Sequence, residues 1–110
     1  MNWIRVTSAE NIPLREGRAV RVGDEEIAIF NLGDRFVACD NACPHRGGPL
    51  ADGIVSGDHV ICPLHAYKIC LSTGKVARPE VSVRVDAYRV RVENGVVMVA
   101  LAEPAEERAA

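Results

Sequence analysis

Two short stretches of this chain carry side chains that could bind a metal. Cys43-Pro44-His45 sets a thiol and an imidazole one residue apart, and Cys62-Pro63-Leu64-His65 repeats the pair with one more residue between them. Sixteen residues separate His45 from Cys62. Two thiols and two imidazoles form a complete ligand set for a soft or borderline metal centre. The proline after each cysteine narrows the backbone freedom lost when a ligand is fixed. Gly47 and Gly48 allow the first loop to turn tightly or to pass close to a bulky group.

Three readings of this pattern compete. In the first, core cysteines and surface histidines fall near one another by chance. Yet two of the three histidines follow a cysteine at matched offsets, each beside a proline. In the second, the residues hold a structural zinc ion, and the chain is a zinc-stabilised β binding module. Zinc accepts Cys₂His₂ sets, but its usual spacing puts two cysteines in one segment and two histidines in another. In the third, a [2Fe–2S] cluster has one iron on two cysteines and the other on two histidines. Two loops that each give one ligand of each kind fit that arrangement directly.

The elements around these loops follow a period of two. Val81, Val83 and Val85 alternate with polar residues, as do Val90 and Val92, which predicts half-buried strands. Asn94-Gly95 then separates Val90–Glu93 from Val96–Leu101, a strong hairpin signal because both central positions must tolerate positive φ. Gly23-Asp24, Gly33-Asp34 and Gly57-Asp58 mark further turns between apolar runs, among them Ala19–Val22, Glu25–Phe30, Phe36–Cys39 and Val60–Cys62. Only Thr7–Ile12 looks helical, as one turn ended by Pro13. The sequence therefore predicts an all-β domain of about eight to ten short antiparallel strands, a sandwich or small barrel. The domain is expected to span residues 1–102, with 103–110 a charged, alanine-rich and flexible tail. Three stretches interrupt the strand rhythm, Pro44–Gly57, Pro63–Tyr67 and Ser72–Pro79, and long irregular loops in a regular domain are where function concentrates.

Composition narrows the function further. The 110 residues suffice for one domain, and 48% hydrophobic with 25% charged residues is an ordinary globular balance. A net charge of −2 without blocks of like charge gives no sign of nucleic-acid or membrane binding. No secretory leader is evident, so a cytoplasmic location is expected, where four cysteines favour metal binding over disulfides. Cys39 and Cys70 lie on predicted strands and read as small buried hydrophobes. His59 reads as an outward strand residue and Trp3 as a core or edge anchor.

The stretches "CPHRGGPL" and "CPLHAYKI" resemble the Rieske iron–sulfur family, whose pattern is C-x-H-x(15–17)-C-x-x-H. The resemblance extends over nearly the whole chain. It implies a Rieske-type β domain with two cluster-binding loops. Cys43 and Cys62 would bind one iron and His45 and His65 the other. "STGKVARPEV" resembles the family's proline loop, with Pro79 shielding the cluster.

Neutral imidazoles leave the oxidised cluster without net charge, whereas four thiolates leave it doubly negative, so the histidine-ligated form accepts an electron more readily. Within the family, respiratory-complex proteins carry an additional cysteine in each loop, joined as a disulfide; the matching positions here are Gly48 and Leu64. Those relatives also place a serine and a tyrosine where this chain has Tyr67 and Ile69. Hydroxyl donors there stabilise the reduced cluster. Their replacement implies a low-potential, ferredoxin-type centre.

No catalytic residue is expected. After His45 and His65 are assigned, only His59 remains, too few for a mononuclear iron site with two histidines and a carboxylate. No G-x-G-x-x-G unit is present for a nicotinamide or flavin. The resemblance then implies an electron-transfer subunit. "EIAIF" and the run Tyr67-Lys68-Ile69 are most similar to the small subunit of assimilatory NAD(P)H nitrite reductase, whose partner is a large sirohaem and flavin subunit. The alternative is the ferredoxin component of an aromatic-ring-hydroxylating dioxygenase system, whose partners are a ferredoxin reductase and an oxygenase.

Overall fold

The computed structural model describes residues 3–43, 47–64, 66–79 and 81–100. His45 and His65, and the predicted tail at 103–110, lie outside the described residues. The strands are β1 (Trp3–Ser8), β2 (Gly17–Val22), β3 (Glu25–Asn31), β4 (Phe36–Asp40), β5 (Ile54–Ser56), β6 (His59–Ile61), β7 (Lys68–Cys70), β8 (Val76–Arg78), β9 (Ala87–Glu93) and β10 (Val96–Ala100). Two antiparallel sheets result, one in the order β1-β10-β9-β4-β3-β2 and one in the order β5-β6-β7-β8. The edge strands β1 and β2 of the larger sheet approach each other, so it curls into a nearly closed barrel. No helix among the described residues is long and apolar enough to cross a membrane.

Turn chemistry sets the register. Asn94 (φ 51°) and Gly95 (φ 77°) connect β9 to β10 with Glu93 opposite Val96, the two-residue hairpin predicted by Asn-Gly. Gly57 (φ 61°) turns β5 into β6, with Ser56 opposite His59. The predicted helical turn is a short 3₁₀ segment, Ala9–Asn11, just before Pro13.

Strand β3 explains how the two sheets share one interior. Its run Ile27-Ala28-Ile29-Phe30 is buried on both faces. Ile27 and Ile29 pack with Ile12, Ala38, Tyr88, Val97 and Val99 inside the curled sheet. Ala28 and Phe30 face the small sheet, in a second core with Cys39, Leu50, Val60, Ile69, Leu71 and Val85. Gly17 is required at the same place, because a Cβ there would lie 2.6 Å from the Phe30 ring.

One expectation is corrected. Residues 81–86 form no strand, although Val81, Val83 and Val85 alternate as a strand would. Val81 and Val83 are exposed and only Val85 is buried. Among the described residues, its backbone is tied by a bridge between Lys75 and Arg84 and by the Val85 N–H donating to Gly74 O, and Val85 packs into the core under the small sheet. Alternation predicts a strand only where a partner strand runs alongside, and here the chain is returning to the larger sheet.

The small sheet and its loops thus form one excursion between β4 and β9. The strands that leave and re-enter the larger sheet are neighbours, with Cys39 opposite Ala87 and Ala38 opposite Tyr88.

Candidate metal centre

Both cysteine loops are closed by the same pair of backbone hydrogen bonds. In the first, the Cys43 N–H donates to Gly48 O (2.8 Å) and the Gly47 N–H donates back to Cys43 O (2.8 Å). In the second, the Cys62 N–H donates to Tyr67 O (2.7 Å) and the Ala66 N–H to Cys62 O (3.1 Å). The donor and acceptor offsets from each cysteine are identical. The residue four after each cysteine is left-handed, Gly47 at φ 73° and Ala66 at φ 58°. Glycine adopts that conformation without strain, whereas alanine pays for its Cβ. The second loop therefore stores backbone strain beside its cysteine, as functional turns often do.

The two turns meet on one core. Cys43 and Cys62 are each 3% exposed and belong to the cluster that joins the two sheets. A Cβ on Gly48 would lie 2.9 Å from Cys62 Sγ and 3.0 Å from Leu64 Cγ. Gly48 has no positive φ, so glycine is present there to let the first loop pass against the second. It is also one of the positions that the sequence compared with a disulfide cysteine, and its counterpart Leu64 is indeed its spatial neighbour. Two buried cysteines of one core cluster, each on a preformed turn, suit thiolate ligation of iron.

A polar base, invisible to motif reading, holds the first loop. Asn41 is 4% exposed and fully engaged. Its side-chain amide donates to Glu26 Oε1 (2.9 Å), and its Oδ1 accepts from the Ala51 N–H (2.8 Å). Its backbone N–H donates to Glu26 O (3.0 Å), and its carbonyl accepts from the Leu50 N–H (2.7 Å). Asn41 so closes the whole loop from 41 to 51. Next to it, Asp40 accepts from Tyr88 Oη (2.7 Å) and from the Asp86 N–H (3.1 Å), tying the outgoing strand to the returning one. Burial, with the Asp40 hydrogen bond, pushes the Tyr88 hydroxyl well above its ordinary range, so it stays protonated as donor. The one sequence signal for this base is a pair of polar residues directly after an apolar strand.

The other singled-out residues fall outside the centre. Cys39 is fully buried on β4, and burial, with Asp40 nearby, pushes its thiol up to about 12. It remains a thiol in the core, as expected for a small buried hydrophobe. Cys70 is half-buried on β7. His59, on β6, is paired with Asp58 at 2.8 Å. Trp3 carries the Arg91 guanidinium 4.4 Å above its ring at the edge of the barrel.

Matched sulfur-bearing turns on a shared core, at the end of a small sheet hung from a β barrel, define a metal–sulfur electron-transfer domain. The chain belongs to the Rieske family: the family described as Rieske [2Fe-2S] domain matches residues 2–89. Among its relatives is the ferredoxin component of the naphthalene 1,2-dioxygenase/salicylate 5-hydroxylase systems of Ralstonia sp, 32% identical over 88% of this chain and 93% of that one. The ferredoxin subunit of 3-phenylpropionate/cinnamic acid dioxygenase of Escherichia coli (strain K12) is 34% identical over 94% of this chain and 97% of its own. In solved structures, a chain of the complex of reduced oxygenase and oxidised ferredoxin in carbazole 1,9a-dioxygenase superposes with TM-score 0.82 at 32% identity, covering 93% of this chain and 94% of that one. A protein assigned as the small subunit of NADPH nitrite reductase superposes with TM-score 0.80 at 19% identity, over 92% of this chain and all of that one. That last likeness shows the shared fold. The cofactor is a Rieske-type [2Fe–2S] cluster, and the protein transfers electrons.

Proposed function

We propose that Cys43 and Cys62 hold one iron of the cluster and His45 and His65 the other, and that the protein is the ferredoxin component of a ring-hydroxylating oxygenase system in the cytoplasm. The bound cluster supplies one-electron chemistry. The chain supplies the two turns that fix the sulfurs, the buried core that excludes water behind them, and the Asn41 base that holds the first loop. The observation that carries the partner assignment is end-to-end similarity, above 30% identity, to ferredoxin components of dioxygenases. No catalytic residue is assigned, so the substrate chemistry belongs to the oxygenase.

A second reading, the small subunit of a nitrite reductase, rests on "EIAIF" before the first loop, on the stretch "CPHRGGPLADGIVSGDHVICPLH" and on "AYKICLSTGKV" with its run Tyr67-Lys68-Ile69. Sequence alone favoured it. Whole-length similarity above 30% identity outweighs these local stretches, which favours the oxygenase system.

Reconstitution distinguishes the two. The purified protein, supplied with NADH and a flavin ferredoxin reductase, is expected to support turnover of a ring-hydroxylating oxygenase. Stimulation of nitrite reduction by a sirohaem subunit, with no oxygenase turnover, would reverse the assignment. The ligand set is tested separately: Cys43→Ser and His65→Ala should each lose the visible iron–sulfur absorbance, and full retention by either variant would refute it.

A further inference from the structure

The small sheet presents one row of side chains across all four strands. Ile54 on β5 is opposite Ile61 on β6, Ile61 is opposite Lys68 on β7, and Lys68 is opposite Arg78 on β8. Residues opposite one another in a ladder share a face. Their chain neighbours Val60 and Ile69 point into the core, so this row points outward. Arg78 joins it because the register slips between Lys68 and Ile69, where Ile69 opposes Val76 and Ala77 is the additional residue. The slip turns Arg78 away from the core side occupied by Val76.

Two properties make this row unusual. Lys68 and Arg78 are like charges placed directly opposite each other, an arrangement that destabilises a sheet by itself. Lys75 lies opposite Arg84 in the bridge just beyond. Residues 68–84 carry a net charge of +3 in a chain whose total is −2. The row is also apolar at its other end, where Ile54 is 69% exposed. Ile61 immediately precedes Cys62, and Lys68 immediately follows Tyr67, whose carbonyl closes the second cysteine turn. Leu64, in that turn, is exposed as well.

We propose that the row Ile54–Ile61–Lys68–Arg78, extended by Lys75, is a docking surface for a redox protein that presents carboxylates beside an apolar contact. The inference rests on the electron-transfer reading above and adds the chemistry of the partner. A like-charge pair is relieved when a partner's carboxylates face it, and complementary charge raises the encounter rate. The apolar end supplies the dry contact that a purely electrostatic encounter lacks. The row lies beside the cysteine turn, so docking there brings the partner close to the proposed cluster.

The test uses two redox proteins of opposite charge and follows the cluster's absorbance by stopped flow. Reduced flavodoxin, strongly acidic, gives one electron to the oxidised cluster; cytochrome c, strongly basic, takes one from the reduced cluster. At low ionic strength, K68E/R78E is expected to slow the flavodoxin reaction about tenfold and to speed the cytochrome reaction. A control of equal charge change on the larger sheet, R21E/R89E, is expected to change either rate less than twofold. In the wild-type protein, the flavodoxin rate should fall as salt is added, a readout that needs no variant. Equal effects from both double variants, or a wild-type flavodoxin rate indifferent to salt, would overturn the proposal. Binding of the wild-type protein to anionic lipid vesicles, abolished by K68E/R78E, would overturn it in favour of a membrane surface. A wild-type preparation with no iron–sulfur absorbance would instead overturn the cluster reading and this inference with it.

Discussion

Gly48→Ala adds a single methyl group at the point where the two cysteine turns touch. That carbon would lie 2.9 Å from Cys62 Sγ and 3.0 and 3.1 Å from Leu64 side-chain carbons. Ordinary contact lies at about 3.5–4.0 Å, so the shortfall is roughly 0.5–1 Å on each side. The Leu64 side chain is 58% exposed and can swing away. Cys62 Sγ is 3% exposed as a residue and, as a proposed ligand, cannot move without moving iron. Overpacking of this kind costs about 1–3 kcal/mol, a factor of about 5–150 in an equilibrium constant. Because the nearest atoms are those of Cys62 and Leu64 in the second turn, the cost is expected in cluster retention rather than in folding. The assay is iron per protein and visible circular dichroism during chelator challenge, with far-UV melting in parallel. Gly47→Ala is the control: its Cβ would meet nothing within 4 Å, and it carries only the cost of φ 73°, about 1–2 kcal/mol. G48A with L64A should recover part of the loss. If G48A retains its cluster as well as wild type does, the close packing of the two turns is not what holds the centre, and the reasoning fails.

Other changes probe the surrounding structure. Asn41→Leu leaves the Ala51 N–H and Glu26 without their side-chain partner, and should lower stability by about 1–3 kcal/mol in thermal or denaturant melts; an unchanged midpoint would show that the loop base is not needed. Cys39, with its thiol raised from 9.0 to about 12, keeps its proton in the folded state when the unfolded chain has lost it. Stability should therefore hold up to about pH 9 and fall from there towards pH 12, with a shallower fall in Cys39→Ala. The midpoint potential, measured by redox titration, should lie in the lower part of the Rieske range of about −150 to +300 mV. A value clearly above about +100 mV would contradict the argument from Gly48, Leu64, Tyr67 and Ile69.

Most of the scaffold is legible in single residues. Asn94-Gly95 fixes its hairpin because both positions take positive φ, and few residue pairs do so cheaply. The unbroken apolar run of β3 is explained once two cores are seen to lie on its two faces. The two cysteine loops stand out in the sequence because metal chemistry needs particular atoms at particular spacings. What sequence could not supply was context from distant segments. Val81-Ser82-Val83 has strand periodicity, yet among the described residues no strand pairs with that stretch. Asn41 and Asp40 matter through Glu26, Ala51, Asp86 and Tyr88, none of which a local motif can name. Lys68 and Arg78 stand together only because a bulge adds one residue between their strands.

The adjacency of β4 and β9 has a consequence for how this architecture travels. The whole lobe that bears the two cysteine turns departs after Asp40 and returns before Ala87, and its two ends stand side by side with Cys39 opposite Ala87. Neighbouring antiparallel strands are about 5 Å apart, a gap that recurs in every β sheet. The lobe is in effect a detachable fitting, with Asp40, Asn41 and Tyr88 as its coupling. Residues 40–88 transplanted between two adjacent antiparallel strands of another sheet would carry the Asp40–Tyr88 tie with them, and the host would have to supply the partner that Glu26 gives Asn41 and the apolar face that Ala28 and Phe30 give the lobe.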